Sequence, residues 1–263
     1  NRPRPYSCSA SSLDMKTLIA NWKMNLGMSE SVALAKDVVR EVGTLERVPR
    51  VVLAATDLAI SPLLEVVSKS HVRVAVQDVS AHHVGAYTGQ TAAETAKEVG
   101  AHMAIIGHSE RRQYQEETDE AISHKLRQAL RQRLDVVVCV GEPHDVRVAG
   151  ETVSFVNAQL KTIFDGVEIP PSAFVAVAYE PLWAIGTGLV PSVHDVETEH
   201  KMIRSCLQNL DISGVQVLYG GSVKAHNARG FLEDDDVDGV LVGGASNRKE
   251  SLLKLIRITA DYV

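Results

Sequence analysis

A single carboxylate, Glu180, stands in an unusual setting in this chain. In Ala178-Tyr179-Glu180-Pro181-Leu182-Trp183-Ala184-Ile185-Gly186-Thr187-Gly188 it closes an apolar run and precedes an apolar, glycine-rich stretch. Apolar surroundings make a carboxylate a stronger base. Pro181 stiffens one end of the stretch, while Gly186 and Gly188 leave the other permissive, the pattern of a lid hinged at both ends. The competing reading is a surface turn, in which exposed Trp183 and Ile185 would be costly.

Other residues with chemical potential also follow short apolar runs. Lys23, in Asn21-Trp22-Lys23-Met24-Asn25, offers a point cation to an anion; taken alone it reads as a solvated loop lysine. His108, in Ile106-Gly107-His108-Ser109-Glu110-Arg111-Arg112, precedes a polar segment that should start a helix. The partial positive charge of a helix start disfavours imidazolium and leaves a neutral ring able to donate to a carbonyl. A lone histidine reads equally as a hydrogen-bonded structural residue. Tyr219-Gly220-Gly221-Ser222 and Val242-Gly243-Gly244-Ala245 place paired glycines after two successive runs. Either pair alone is a tight turn; two in succession can bring main-chain N–H groups around a phosphate.

Several classes of chemistry have no counterpart. There is no HExxH zinc motif, no Gly-x-Ser-x-Gly elbow and no Walker phosphate loop. The net charge is −6, from 27 basic and 33 acidic residues, with no basic stripe, which argues against a nucleic-acid partner. The bulk field repels an anion, so a phosphate site must be locally positive through main-chain N–H groups and a placed cation. Cys8, Cys139 and Cys206 form no CxxC pair and suit a reducing compartment, with Cys139 expected to be buried and inert at a strand end. No apolar run approaches the roughly 18 residues of a membrane span.

The elements that must position these residues alternate. Apolar runs at Thr17–Trp22, Arg50–Ala55, Val72–Gln77, Met103–Ile106, Val136–Val140, Phe174–Tyr179, Val215–Tyr219 and Gly239–Val242 are short and mostly continuous, as parallel strands buried on both faces read. Helical periodicity is predicted over Glu30–Val42, Asp119–Arg133, Ser192–Asn209 and Asn247–Ala260, with Ser29 as the first N-cap and Gly43 as a C′ glycine. A doubly wound open sheet would give the same alternation. The count of eight favours a single α/β domain, a (β/α)8 barrel over residues 15–263, with its chemistry at the C-terminal strand ends. Residues 1–14, rich in Pro, Ser and Arg, are expected to be a disordered leader, either a tag or a transit remnant.

The four segments around Lys23, His108, Glu180 and Ser222, in this order, resemble the signatures of the triosephosphate isomerases, and the resemblance runs from Met15 to about Val263. It implies a TIM barrel that interconverts D-glyceraldehyde 3-phosphate and dihydroxyacetone phosphate through an enediol(ate), in glycolysis and gluconeogenesis. This enzyme is a standard case of acid–base tuning. By resemblance Glu180 is the base, His108 the neutral electrophile and Lys23 the cation, and Asn21 helps hold the substrate oxygen. Gly186, Ser222, Gly243 and Gly244 donate to the phosphate. Glu110 partners Lys23, Glu117 is structural, and Ile185 and Leu241 cover the base. The family implies no metal, no cofactor, a cytoplasmic location without membrane partners, and a homodimer. The loop from about Asp78 to Thr91 would carry Thr88 to the partner's Asn25 and Lys23 region.

Three positions depart from the family pattern: Gln90 where Glu is more usual, which bears on an intersubunit ion pair; Asn247-Arg248 at the start of the last helix, where apolar residues are more usual; and the leader itself. Two other readings are an inactive homologue serving as a scaffold, and a phosphate-binding barrel that isomerises a larger sugar phosphate. The first would have lost one of Lys23, His108 or Glu180; the second would lack the stretch that carries Glu180.

Overall fold

The computed structural model describes residues 15–185 and 189–263. The leader expected over 1–14, Cys8 and Gly186 lie outside the described residues.

Eight parallel strands close into a barrel: β1 (Thr17–Asn21), β2 (Arg50–Ala55), β3 (Arg73–Val76), β4 (Met103–Ile106), β5 (Asp135–Val140), β6 (Val175–Tyr179), β7 (Val215–Tyr219) and β8 (Gly239–Val242). Each pairs with the next, and β8 returns to β1 with Thr17 opposite Gly239 and Ala20 opposite Val242. The α-helices of the described residues lie between strands or after β8: α1 (Met28–Val42), α2 (Asp57–Val67), α3 (Ala93–Val99), α4 (Ser109–Tyr114), α5 (Asp119–Arg131), α6 (His144–Val148), α7 (Thr152–Phe164), α8 (Val193–Asn209), α9 (Ala228–Leu232) and α10 (Lys249–Ala260).

The continuous apolar strands follow from this closure. Successive strand residues point to opposite faces. Ile19, Val52, Ala54, Met103, Ile105, Val137, Ala176, Ala178 and Leu218 form one buried cluster, the barrel interior. Their neighbours Leu18, Val51, Leu53, Ala104, Val136, Val177 and Val217 belong to a second cluster packed with the helices. Neither face meets water, so neither needs polar residues.

Several boundaries differ from the sequence expectation. Trp22, Val72, Gln77 and Phe174 fall just outside their strands, while Asp135 joins β5 through its N–H to His102 O. Helix α1 starts at Met28, capped by Gly27 rather than Ser29, because Glu30 Oε2 reaches back to accept the Gly27 N–H at 2.9 Å. Gly43 ends that helix with φ −67°, a right-handed conformation and not the left-handed C′ geometry. Helix α5 stops at Arg131, and Arg133 takes φ +56°. Asn247 closes a 3-10 turn, Gly244–Asn247, and α10 begins only at Lys249.

Candidate active site

Asn21 is the last residue of β1 and is buried; its Oδ1 accepts the Lys23 N–H at 3.1 Å. Between them the chain turns sharply, leaving Lys23 at φ +52°, a left-handed conformation that costs a lysine on the order of 1–3 kcal/mol. Gln77 secures the turn by donating from Nε2 to Lys23 O at 2.9 Å and to Ala54 O at 3.1 Å. The reward is direction: Lys23 Nζ reaches Glu110 Oε1 at 2.6 Å across the barrel mouth.

His108 caps α4. Its Nδ1 accepts the Glu110 N–H at 3.3 Å, so a neutral ring carries its proton on Nε2. That nitrogen lies 3.1 Å from Glu180 Oε1. Arg112 holds the turn beneath, donating to Gly107 O at 2.9 Å and to Cys139 O at 3.0 Å.

Glu180 follows β6 and is 2% exposed. Its N–H donates to Val140 O at 2.7 Å, and its Oε2 accepts the Ser109 N–H at 2.8 Å. Two glycines make room for it. A Cβ on Gly141 would sit 1.8 Å from Glu180 O, and one on Gly220 would sit 2.8 Å from Glu180 Cγ. Leu241, buried on β8, and the partly buried Ile185 face the same cavity.

This cavity, about 780 Å³, brings together Asn21, Lys23, His108, Glu110, Glu180, Ile185, Ser222, Leu241, Gly243 and Gly244. Ser222 Oγ donates to Ala184 O at 3.0 Å, tying the loop after β7 to the turn after Glu180. Gly243 and Gly244 lead into the 3-10 turn after β8, and Gly244 has no heavy atom within 4 Å of where a Cβ would stand. The main chain is therefore bare where an anion would approach. Thr88 is exposed in the loop between β3 and α3 and does not line the cavity. Gln90 Oε1 accepts from Ser80 Oγ within the chain, at 2.5 Å. Glu117 is removed from the cavity, paired with Arg111 and Lys125. Beside it, burial pushes Asp78 up to about 6 despite the Lys125 and Arg111 cations.

Some contributors escaped the reading of residue types. Ser109 acts through its main-chain N–H, to which side-chain chemistry gives no clue. Glu142 is fully buried, and its Oε1 accepts from Tyr179 Oη at 3.0 Å and from Trp183 Nε1 at 2.8 Å. A signal existed: Gly141-Glu142-Pro143 repeats after β5 the acid-before-proline pattern of Glu180-Pro181. Burial, and then the Glu180 carboxylate, hold the Cys139 thiol well above its ordinary pKa. Arg248 and Lys224, exposed cations, also line the cavity. Among the described residues no three His, Cys, Asp or Glu side chains are grouped to hold a metal, and no helix is long and apolar enough to cross a membrane.

Comparison with known proteins bears on this arrangement. The family model for triosephosphate isomerase matches residues 16–259. A triosephosphate isomerase of Thermus thermophilus is 40% identical over 248 residues, covering 92% of this chain and 98% of the relative. One from Deinococcus radiodurans is 41% identical over 247 residues with the same coverage. A solved triosephosphate isomerase structure from Bartonella henselae superposes with a TM-score of 0.81 at 28% identity, over 92% of this chain and 98% of that one. With strand order, strand-end chemistry and sequence in agreement along almost its whole length, the chain belongs to the triosephosphate isomerase family.

Proposed function

We propose that this cavity interconverts D-glyceraldehyde 3-phosphate and dihydroxyacetone phosphate, with Glu180 moving the proton between adjacent carbons. The observation that carries the reading is the pairing of Glu180 Oε1 with the proton-bearing Nε2 of His108 at 3.1 Å. A substrate entering between them takes over both partners. The Nε2–H turns to the carbonyl oxygen, and the freed carboxylate oxygen faces the neighbouring C–H. Oε2 remains on the Ser109 N–H, which keeps the carboxylate oriented.

Glu180 takes the carbon proton, and negative charge develops on the carbonyl oxygen. His108 Nε2–H, Lys23 Nζ and the Asn21 amide stabilise that charge, giving an enediol(ate). Glu180 then returns the proton to the adjacent carbon while the proton of the neighbouring hydroxyl passes to the former carbonyl oxygen, with His108 Nε2 between the two oxygens, so the sum of atoms and charge is unchanged. Lys23 is already paired with Glu110. The phosphate dianion therefore relies on main-chain N–H groups of Gly243 and Gly244 and on Ser222, which suits a chain of net charge −6. Gly186, the fourth expected donor, lies outside the described residues.

A homodimer forms part of this reading. The loop between β3 and α3 is long, Thr88 is exposed near its tip, and Met24 and Leu58 are 90% and 83% exposed beside the barrel mouth. A second copy would cover these side chains. Sedimentation of the chain as a monomer at micromolar concentration would remove this element.

The deciding experiment is turnover of glyceraldehyde 3-phosphate in chelator, without added coenzyme, for the wild type and Glu180→Gln. Fast turnover lost in the variant supports the reading. No turnover by the folded wild type moves the assignment to a scaffold.

A further inference from the structure

The turn after Glu180 is fastened to the barrel through a run of charge that the proton transfer does not use. Trp183 Nε1 donates to Glu142 Oε1, which also accepts from Tyr179 Oη. Over the face of the same indole stands the Arg147 guanidinium, 5.4 Å from the ring centroid. Arg147 belongs to α6 but spends its charge on α8: Nη2 donates to Asp195 Oδ1 at 2.9 Å and Nη1 to Glu199 Oε1 at 3.0 Å. Asp195 has a second task at the start of α8, where its Oδ2 accepts from Ser192 N at 3.1 Å and Ser192 Oγ at 2.6 Å.

The burial of these groups is informative. Glu142 is 0% and Glu199 5% exposed, and Oε2 of each has no hydrogen-bond partner among the described residues. Burial, followed by the neighbouring Glu142 carboxylate, pushes Glu199 above the ordinary carboxylate pKa. A buried carboxylate left half satisfied is costly, and an ion pair meant only to hold two helices together works as well at the surface. Here one guanidinium meets a buried acid, a capping acid and an indole, and the indole lies three residues from Glu180 and two from Ile185.

We propose that Arg147, held by Glu199 and Asp195, is a positioning residue for the reaction, clasping the Pro181–Trp183 turn between α6 and α8 and so fixing where Glu180 and Ile185 stand over the cavity. The inference rests on the isomerase reading above. Its chemical consequence is fidelity. An enediolate left uncovered can shift its electron pair to form C=O at C1 and C=C between C2 and C3. The C3–O bond breaks in the same step, its electron pair leaves with inorganic phosphate, and the remaining enol becomes 2-oxopropanal. Ile185 displaced from the cavity would expose the intermediate to this loss.

The test compares wild type, Glu199→Gln, Glu199→Asp and Arg147→Gln as full chains, measuring kcat and KM for glyceraldehyde 3-phosphate and the inorganic phosphate released per isomerisation. In Glu199→Gln and Arg147→Gln, kcat should fall about tenfold with KM within about twofold, and phosphate per turnover should rise about tenfold. Glu199→Asp should recover part of the loss. Arg147, whose side chain is 28% exposed, carries the test alone should Glu199→Gln fail to fold. A folded variant with wild-type phosphate release per turnover overturns the clasp while leaving the isomerase standing. A folded wild type without isomerisation overturns the functional reading, and the clasp with it.

Discussion

His108 Nε2 and Glu180 Oε1, from the ends of β4 and β6, lie 3.1 Å apart, while each residue's other polar atom is held by a main-chain N–H of α4. The two side chains thus form one unit whose members depend on each other for direction. Glu180→Gln should lower kcat about 10²–10⁴-fold. Adding His108→Gln should cost much less than it does alone, since groups acting together are strongly non-additive. Steady-state kinetics of the two single variants and the double variant check this; losses that multiply would show independent action.

Lys23 separates stability from activity. Its φ of +52° suits glycine better than lysine, and its half-exposed pair with Glu110 contributes little to folding. Lys23→Gly should unfold within about 1 kcal/mol of the wild type, or be more stable, because relief of strain offsets the added chain entropy. Turnover should nevertheless collapse. Urea unfolding beside kinetics reads both, and a marked loss of stability would refute the strain argument.

Gly220→Ala tests how closely the base is confined. The new methyl would press on Glu180 Cγ from 2.8 Å, and the barrel around it cannot yield far. A displacement of the carboxylate on the order of 1 Å should cost about 10²-fold in kcat with the fold retained. Near-wild-type kcat in a folded variant would mean the loop after β7 moves aside freely.

His200 gives a pH-dependent signature. Burial, helped by the Arg204 cation and opposed by the Asp236 carboxylate, lowers its pKa from 6.5 to about 4, although its Nδ1 bonds to Asp236 O at 3.0 Å. The unfolded chain therefore binds a proton between those values that the folded chain refuses. The contribution to stability is complete above pH 6.5 and is lost as pH falls towards 4, about 3 kcal/mol in all. Buried Asp78, Asp238 and Glu142 slope the opposite way. The observable is accordingly a difference: the unfolding free energy of wild type minus that of His200→Gln should shrink by about 3 kcal/mol from pH 7 to pH 4. A constant difference would show that the histidine titrates alike in both states.

Much of this architecture was legible because burial on both faces writes each strand as a short apolar run. The chemistry was legible because side chains at strand ends carry their type openly. Glu180, His108 and Lys23 stood out as strand-end residues by type and place. Lys23 alone, however, reads as a solvated lysine and His108 alone as a structural histidine, and their proposed roles come from the resemblance. What stayed hidden had physical reasons. The Ser109 N–H is present at every non-proline position, so sequence cannot single it out. Gly27 caps α1 with no side chain, through Glu30, whereas the eye goes to Ser29. The Arg147 link to Asp195 and Glu199 joins residues 48 and 52 apart in the chain, and no local period announces it.

The site draws Asn21 and Lys23 from the end of β1, His108 from β4, Glu180 from β6, Ser222 from β7 and Gly243 from β8, and β8 completes the ring only by pairing with β1. No contiguous fragment holds all of these residues, and the two ends of the barrel must find each other across more than two hundred residues of chain before the proposed base, cation and phosphate cradle share one space. Under the proposed roles, turnover therefore requires ring closure. During refolding, turnover should not appear before the first strand has met the last.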